Sequence, residues 1–587
     1  MKKIITLLIA LTLLSCGNPT PNPSRGDGDK TIDTVIPPPP KPVDSVPVVD
    51  TIPPPPPPVV EDTIIPQKPV YAIYTLDADA YGIIQGKVTD AQALANRYAL
   101  EEAIQDAAEK QVDTFKIGVF DGYFDVSTVT SQTNKNFYPW VEGINIPSDF
   151  NLVMSDSTYL RVQPNNSPRY SLFSLYFSDN TYIEGGHLIG EREFHTWSGS
   201  GSDEWGHLID INSSQNVTIN GVEAKRGNGD GLVVHSREFS FKENYVPAKN
   251  VLIINCKIIE NRRQGISITD GQDIIVEDNY FEGTGTTVGN SEGTNPRFDI
   301  DIEPYRERSK ETGEIIWYEW VENVTLRGNK SIGSDKGSFI VAGGKNILIE
   351  NNHVAQGMGN KASEGVVIRN NVCENYDENY TILPGIFAGD GTEVYGNTIN
   401  GFSHSVHLSG ENVEFHDNEA RDFRSAGLYH RYNLKNSRIE NNTFISNSPK
   451  AYAMFLHLAT IENTEIINNT FESVRSALKT VSVNEGNDYT FMIEDNEFKS
   501  RDRNTVFKSS GIKFVGNHFN NQLEFKESTD IEVEQNTIES TTDAIVFKED
   551  VGTISIIGNK LITGGKCTEA KFDPANLIEH SNECIYQ

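Results

Sequence analysis

Cysteine is scarce in this 587-residue chain, which has five. None of the spacings matches a metal-binding pattern, which excludes a structural zinc or iron–sulfur module. Basic residues are also few: 50 Lys and Arg stand against 82 Asp and Glu, a formal net charge of −32. General nucleic-acid binding needs a basic footprint, so no nucleic-acid partner is expected. Long apolar runs are missing beyond Ile4–Leu14, which is too short for a stable membrane span. Asn-Gly turns at hairpin spacing are absent too, which argues against an antiparallel meander.

What is present is a repeat. A phrase reading apolar, any, apolar, any, any, Asn, any, apolar recurs at Asn279, Asn329, Asn352, Asn371, Asn397, Asn418, Asn442, Asn469, Asn496, Asn517, Asn536 and Asn559. Upstream the same frame carries Gly186, Val222 and Cys256 in the Asn position. Most steps are 19 to 27 residues, the period of a solenoid. The alternation has period two and uses β-forming residues, so each phrase reads as a strand with one buried face. Stacked Asn amides can both donate and accept between rungs, and Asn tolerates the left-handed conformation a bend requires. The expected fold is all-β, a single right-handed parallel β-helix with three strands per rung. Cys256 falls in the inward column and reads as core.

The ends differ in character. Residues 1–15 read as a signal peptide: Lys2 and Lys3 precede the apolar run, which ends Leu13-Leu14-Ser15-Cys16. This resembles a bacterial lipoprotein signal, which implies cleavage before Cys16 and lipidation of its thiol. A membrane partner through that anchor, in the cell envelope and on the outer membrane, is the corresponding expectation. Residues 16–69 hold Pro37–Pro40 and Pro53–Pro58 and read as an extended tether. Residues 70–128 read as an N-terminal cap, in which Ala91–Lys110 forms an amphipathic helix with a stripe of Leu94, Tyr98, Ala99, Ile104 and Ala107. The β-helix is expected over 129–565 and a C-terminal cap over 566–587. Cys567 and Cys584 lie in that last cap, either as a disulfide or as two free thiols.

The repeat stretches where chemistry is expected. Gly186 to Val222 is 36 residues, Val222 to Cys256 is 34 and Asn279 to Asn329 is 50. Extra residues leave a solenoid as loops, and loops build binding faces, so the site is placed within 187–336. Aligning the third strands pairs Leu232 and Val234, Ile266 and Ile268, and Ile300 and Ile302 as inward residues. Asp299, Asp301 and Glu303 should then share one outward face, with His235 two rungs away in the Glu303 column. Carboxylates confined in a cleft have raised pKa values, which suits general acid–base work and glycoside hydrolysis. The same three could instead hold Ca²⁺ for a polysaccharide lyase or uronan epimerase; otherwise no cofactor is expected. Arg226, Arg262, Arg263, Arg297, Arg306 and Arg308 fall beside this face, where they either balance the carboxylates or hold an anionic substrate group. Trp197, Trp205, Trp317, Tyr318 and Trp320 lie in the extra loops, where aromatic faces could stack on sugar rings.

The helix-plus-strand entry, NTYIEGGHLIGEREFH, GNGDG, NRRQGISI and DIDIEP together resemble the pectin-lyase-like superfamily of carbohydrate-active β-helix proteins. The resemblance implies an extracellular polysaccharide substrate and makes Asp301 and Glu303 the working pair. Asp299 takes a place where similar chains carry glycine. From the other motifs it implies Asp230, Arg262, Arg263 and Gln264 as site residues. The family-28 pectinase pattern is met only at Asn228-Gly229-Asp230. The expectation is therefore a glycoside hydrolase with Asp301, Glu303 and Asp230 as catalytic carboxylates. His235, Arg262, Arg263, Gln264, Asp299, Arg297, Arg306 and Trp205 would bind substrate. Alternatives are the lyase or epimerase and a non-catalytic glycan-binding surface protein. The sequence does not choose between monomer and trimer.

Overall fold

The structure, a computed structural model, describes residues 73–129, 138–197, 203–361, 363–571 and 576–587. The signal, Cys16 and all of the proline-rich stretch lie outside them. The described chain winds as a right-handed parallel β-helix, with three long parallel sheets that each take one short strand per rung. The first sheet carries the phrases of the repeat, pairing for example Ile274 with Val324 and Val324 with Ile347. The second sheet pairs Phe444, Phe471, Phe498 and Phe519, whose rings stack at 4.7–5.2 Å inside the coil. The third sheet holds the strands that carry the candidate carboxylates.

The asparagine column is a continuous ladder. Asn279 donates its backbone N–H and its side-chain amide to Oδ1 of Asn329, each at 3.0 Å. Asn329 does the same to Asn352, and the pattern runs on to Asn559 and Asn582. Upstream, the N–H of Cys256 enters the ladder on Asn279 at 2.8 Å, and its thiol is buried as core. The left-handed conformation falls one residue earlier than the sequence suggests: Asp278, Asn351, Asn370, Asn441 and Asn468 have positive φ, and the ladder residues after them do not. The preceding residue turns the corner. The ladder residue keeps ordinary backbone because its side chain must point into the coil to bond its neighbours.

The N-terminal helix spans Asp90–Glu109 and is capped by the Thr89 hydroxyl, which accepts from the Gln92 N–H. Its buried face is Ala93, Asn96, Arg97, Leu100, Ala103, Ile104 and Ala107. The expected stripe through Tyr98 is corrected, since Tyr98 faces solvent. Polar anchors decide this rotation. Asn96 bonds the backbone of Ile84 and Tyr123, and Arg97 reaches the carbonyls of Val141 and Gly143. At the other end Cys567 and Cys584 form a disulfide, which settles the choice left by the sequence.

Candidate active site on the outer face of the third sheet

Strand register in the third sheet aligns Ile209, Leu232, Ile266 and Ile300 as one inward column. One residue further along each strand lie Asp210, Val233, Ser267 and Asp301. Three further along, Asn212 pairs with His235. The ladder continues that column through the N–H groups of Thr269 and Glu303. Period-two strands thus put Asp210, Asp301, His235 and Glu303 on one side of the sheet. The inward residues Leu232, Val234, Ile266, Ile268, Ile300 and Ile302 are all buried, as the alternation requires.

Asp230 is a heavily bonded carboxylate. Arg263 Nη1 donates to its Oδ2 at 2.9 Å, Ser267 Oγ donates to Oδ2 at 2.8 Å, and the Gln264 N–H donates to Oδ1 at 3.0 Å. His207 Nδ1 stands 3.5 Å from Oδ2 and accepts the Asp230 N–H at 3.1 Å. Burial lowers the His207 pKa, against the pull of Asp230 and Asp210, and leaves the ring neutral. The Trp205 ring lies under the Arg263 guanidinium at 4.8 Å and keeps its own face partly open. Glu204, beside them, is raised by burial and accepts from Thr294 at 3.2 Å.

Asp301 is buried, and its Oδ2 accepts from Gln264 Nε2 at 2.5 Å. Its Oδ1 has no hydrogen-bond partner among the described residues. Burial, reinforced by the charge of Glu303, pushes its pKa well above the carboxylate range, with Arg263 and Lys361 pulling the other way. Burial and Glu303 both favour the protonated form of Asp301 over the carboxylate. Glu303, two residues along, is half-buried.

A second group lies beside the first. His235 Nε2 meets Asp210 Oδ1 at 2.7 Å, and Ser171 donates to Asp210 Oδ2 at 3.1 Å. Burial opposes the charge on His235, but the Asp210 carboxylate outweighs it and raises the imidazole. Burial raises Asp270 to about 6, even though it accepts from Tyr245 at 2.8 Å and from the Trp320 N–H at 2.9 Å. Glu319, half-buried, is raised to about 7 by desolvation.

Asp299 does not join the outward face, and its expected place there is corrected. It occupies the column of Gly231 and Gly265, which faces the interior at the corner. A Cβ on Gly265 would meet the core ring of Phe281 at 3.0 Å. The Asp299 carboxylate is buried there and accepts from Ser331 at 2.5 Å, and Ser331 also bonds Ser338. Ser331 stands in the column of Phe281, so a polar residue replaces an aromatic one where the carboxyl arrives. Burial raises Asp299 to about 7. Asp299 thus faces inward, away from Asp301 and Glu303.

The arginines divide. Arg263 enters the site through Asp230. Arg262 packs over Trp197 at 3.8 Å and donates to the carbonyls of Glu292 and Asp203. Arg297 pairs with Asp335 at 3.0 Å, and Arg226 pairs with Glu260 and Glu193. Arg306 lies over Trp317 at 5.1 Å, on a small hairpin of Arg306–Arg308 and Ile315–Trp317, and Arg308 bonds Gly313 within it. Tyr318 packs with Phe239 and Tyr305, and Trp320 with Trp317. Asp210, His207, Ser267, Asp270 and Glu319 were not singled out in the sequence. For Asp210 a signal existed: the strand alignment, carried one rung upstream, sets it opposite Val233.

A family model described as right handed beta helix region matches residues 314–471. The chain contains a right-handed β-helix region. The chain is 27% identical over 515 residues to the uncharacterized protein YclG of Bacillus subtilis (strain 168), covering 84% of each. Among solved structures it is similar to the A-module of mannuronan C-5 epimerase AlgE6 of Azotobacter vinelandii. That match has 14% identity, 87% of this chain, 99% of that chain and a TM-score of 0.33. It is also similar to a mutant tailspike protein of E. coli bacteriophage HK620 in complex with a hexasaccharide. There the values are 13% identity, 82% of this chain, 76% of that chain and a TM-score of 0.38. At these scores neither structure bears on the reading below, which rests on the site.

Proposed function

We propose that this chain is a polysaccharide-cleaving enzyme, a glycoside hydrolase whose acid is Asp301. The observation that carries the reading is the contrast between two carboxyls on one strand. Asp301 is buried with its pKa raised well above the ordinary carboxylate value, and the half-buried Glu303 beside it adds to that rise. A carboxyl whose surroundings raise its pKa suits the general-acid role. Asp301 gives its proton to the glycosidic oxygen as the bond to the leaving sugar breaks. Glu303 acts on the opposite partner, either by attacking the anomeric carbon or by taking a proton from water. Asp230, fixed by Arg263, Ser267 and Gln264, holds the constellation in place and offers charge to the developing cation. Trp205 and the His235–Asp210 pair border the same face and position the sugar. Secretion and an anchor at Cys16 belong to the same proposal, which places the substrate outside the cell.

The test is a panel of polysaccharides incubated with the protein, with and without EDTA. New reducing ends without ultraviolet absorbance support hydrolysis. Absorbance from an unsaturated uronate would make the chain a lyase instead. Full activity in Asp301→Asn would remove the assignment of the acid. Binding without any product would favour the non-catalytic glycan-binding reading.

A further inference from the structure

The column that holds Asp301 continues far beyond the site. Register carries it from Asp301 through Ile340 and Gly359 to Phe387, His407, Tyr429, Phe455 and Lys479. These seven steps of about 4.8 Å set Lys479 roughly 34 Å from Asp301 on the same face. The four residues before Lys479 are half-buried rings in a row. His404 stacks on Tyr429 at 4.3 Å, and Tyr429 meets Phe455 at 5.6 Å. At its end a cavity of about 570 Å³ opens, lined by Tyr452, Arg475, Lys479, Arg503, Gln522 and Glu524 among others.

The charges in this cavity are not balanced. The Arg475 guanidinium lies over the Tyr452 ring at 4.3 Å and the Lys479 ammonium at 4.9 Å. Lys479 also donates to the Tyr452 hydroxyl at 3.2 Å. Among the described residues, neither Arg475 nor Lys479 has a carboxylate within ion-pair distance. Glu524, the buried acid of the cavity, is taken by Arg503 at 3.2 Å and Lys548 at 2.6 Å. Asp502, at the rim, pairs with Arg501. Two cations without acidic partners are thus gathered on one wall of a chain with a net charge of −32. A guanidinium beside an ammonium suits a carboxylate or a sulfate, and the adjoining aromatic surface suits the flat face of a sugar ring.

We propose that this cavity is a second carbohydrate subsite that takes an acidic sugar unit, carrying a carboxylate or a sulfate, through Arg475 and Lys479. It rests on the polysaccharide reading above, but it concerns binding and is measured without turnover. The half-buried aromatic column supplies an uncharged path between the subsite and Asp301. Net negative charge would otherwise repel an anionic polymer, so a local cationic wall is the feature needed to retain one.

The experiment is affinity electrophoresis of the protein in gels holding polygalacturonate, dextran sulfate or neutral dextran. Wild type and Asp301→Asn should be retarded by at least one acidic polymer and not by dextran. The double variant Arg475→Gln/Lys479→Gln, altered only at residues that are not buried, should weaken that retention by about tenfold or more. Glu524→Gln, which frees Arg503 and Lys548, should strengthen it. Preference for one gel distinguishes a uronate from a sulfate. Retention of the double variant equal to wild type, or no retention by either acidic polymer, overturns the subsite. Retention with the expected variant effects but no product from any polymer supports the subsite and counts against the hydrolase.

Discussion

Gln264 touches both carboxyls of the candidate site: its N–H donates to Asp230 at 3.0 Å and its side-chain amide donates to Asp301 at 2.5 Å. Its Oε1 accepts the Phe298 N–H at 2.7 Å, which ties it to the strand that carries Asp301. One buried residue, through its backbone N–H and its side-chain amide, therefore sets the relation between two rungs. Gln264→Met should keep the fold and lower kcat by about 100-fold, because small misplacements of catalytic groups cost that much. Unchanged thermal melting together with the drop in kcat checks it, and full activity would detach Gln264 from the mechanism.

The raised pKa of Asp301 fixes the sign of a pH dependence. A general acid works only while protonated, so kcat/KM should fall as pH rises through its pKa. Glu303 raises that pKa and Arg263 lowers it. In residual activity, Glu303→Gln should move the alkaline limb to lower pH and Arg263→Gln should move it to higher pH. Profiles of kcat/KM against pH for both variants read the two opposite shifts.

Asp299 makes a different prediction, about stability. Its pKa is raised to about 7 in the folded state, above its ordinary value of 3.8. The folded state then binds the proton more tightly than the unfolded state between those values. Stability from this group is greatest below about pH 4 and falls as pH rises towards about 7. Asp299→Asn removes the penalty, so its Tm should exceed wild type by a few degrees at about pH 8.5 and by much less at about pH 5. Asp270 and Glu319 titrate nearby in pH, so the informative quantity is the difference between variant and wild type. An equal Tm difference at both pH values would contradict the burial of the charged form.

The asparagine ladder should matter for stability and not for activity. Asn469 accepts the N–H and side-chain amide of Asn442, and donates to Asn496 and to the carbonyls of Ile439 and Ile467. Asn469→Ala leaves buried partners unbonded and should cost about 2–4 kcal/mol. Urea unfolding would read this as a lower midpoint, with catalysis unaltered because the residue lies many rungs from Asp301.

The sequence alone determined the architecture, and the reason is repetition. Each rung must bury the same frame of apolar residues and bond the same asparagine, so the pattern recurs visibly from Asn279 to Asn559. The stretched intervals also marked where extra loops gather, and the alternation assigned the inward Ile and Val residues of the third sheet. What only the tertiary structure decided was contact between rungs. Asp210 and His235 are 25 residues apart and Ser267 and Asp230 are 37 apart, yet each pair meets through register across strands. The corner of the coil decided Asp299: strict alternation would turn it outward, but the bend sends its column into the core. Polar anchors on Asn96 and Arg97 similarly decided the helix face. A repeat specifies its own geometry, whereas a site depends on how unlike residues from several rungs face one another, and that is set only when the coil closes.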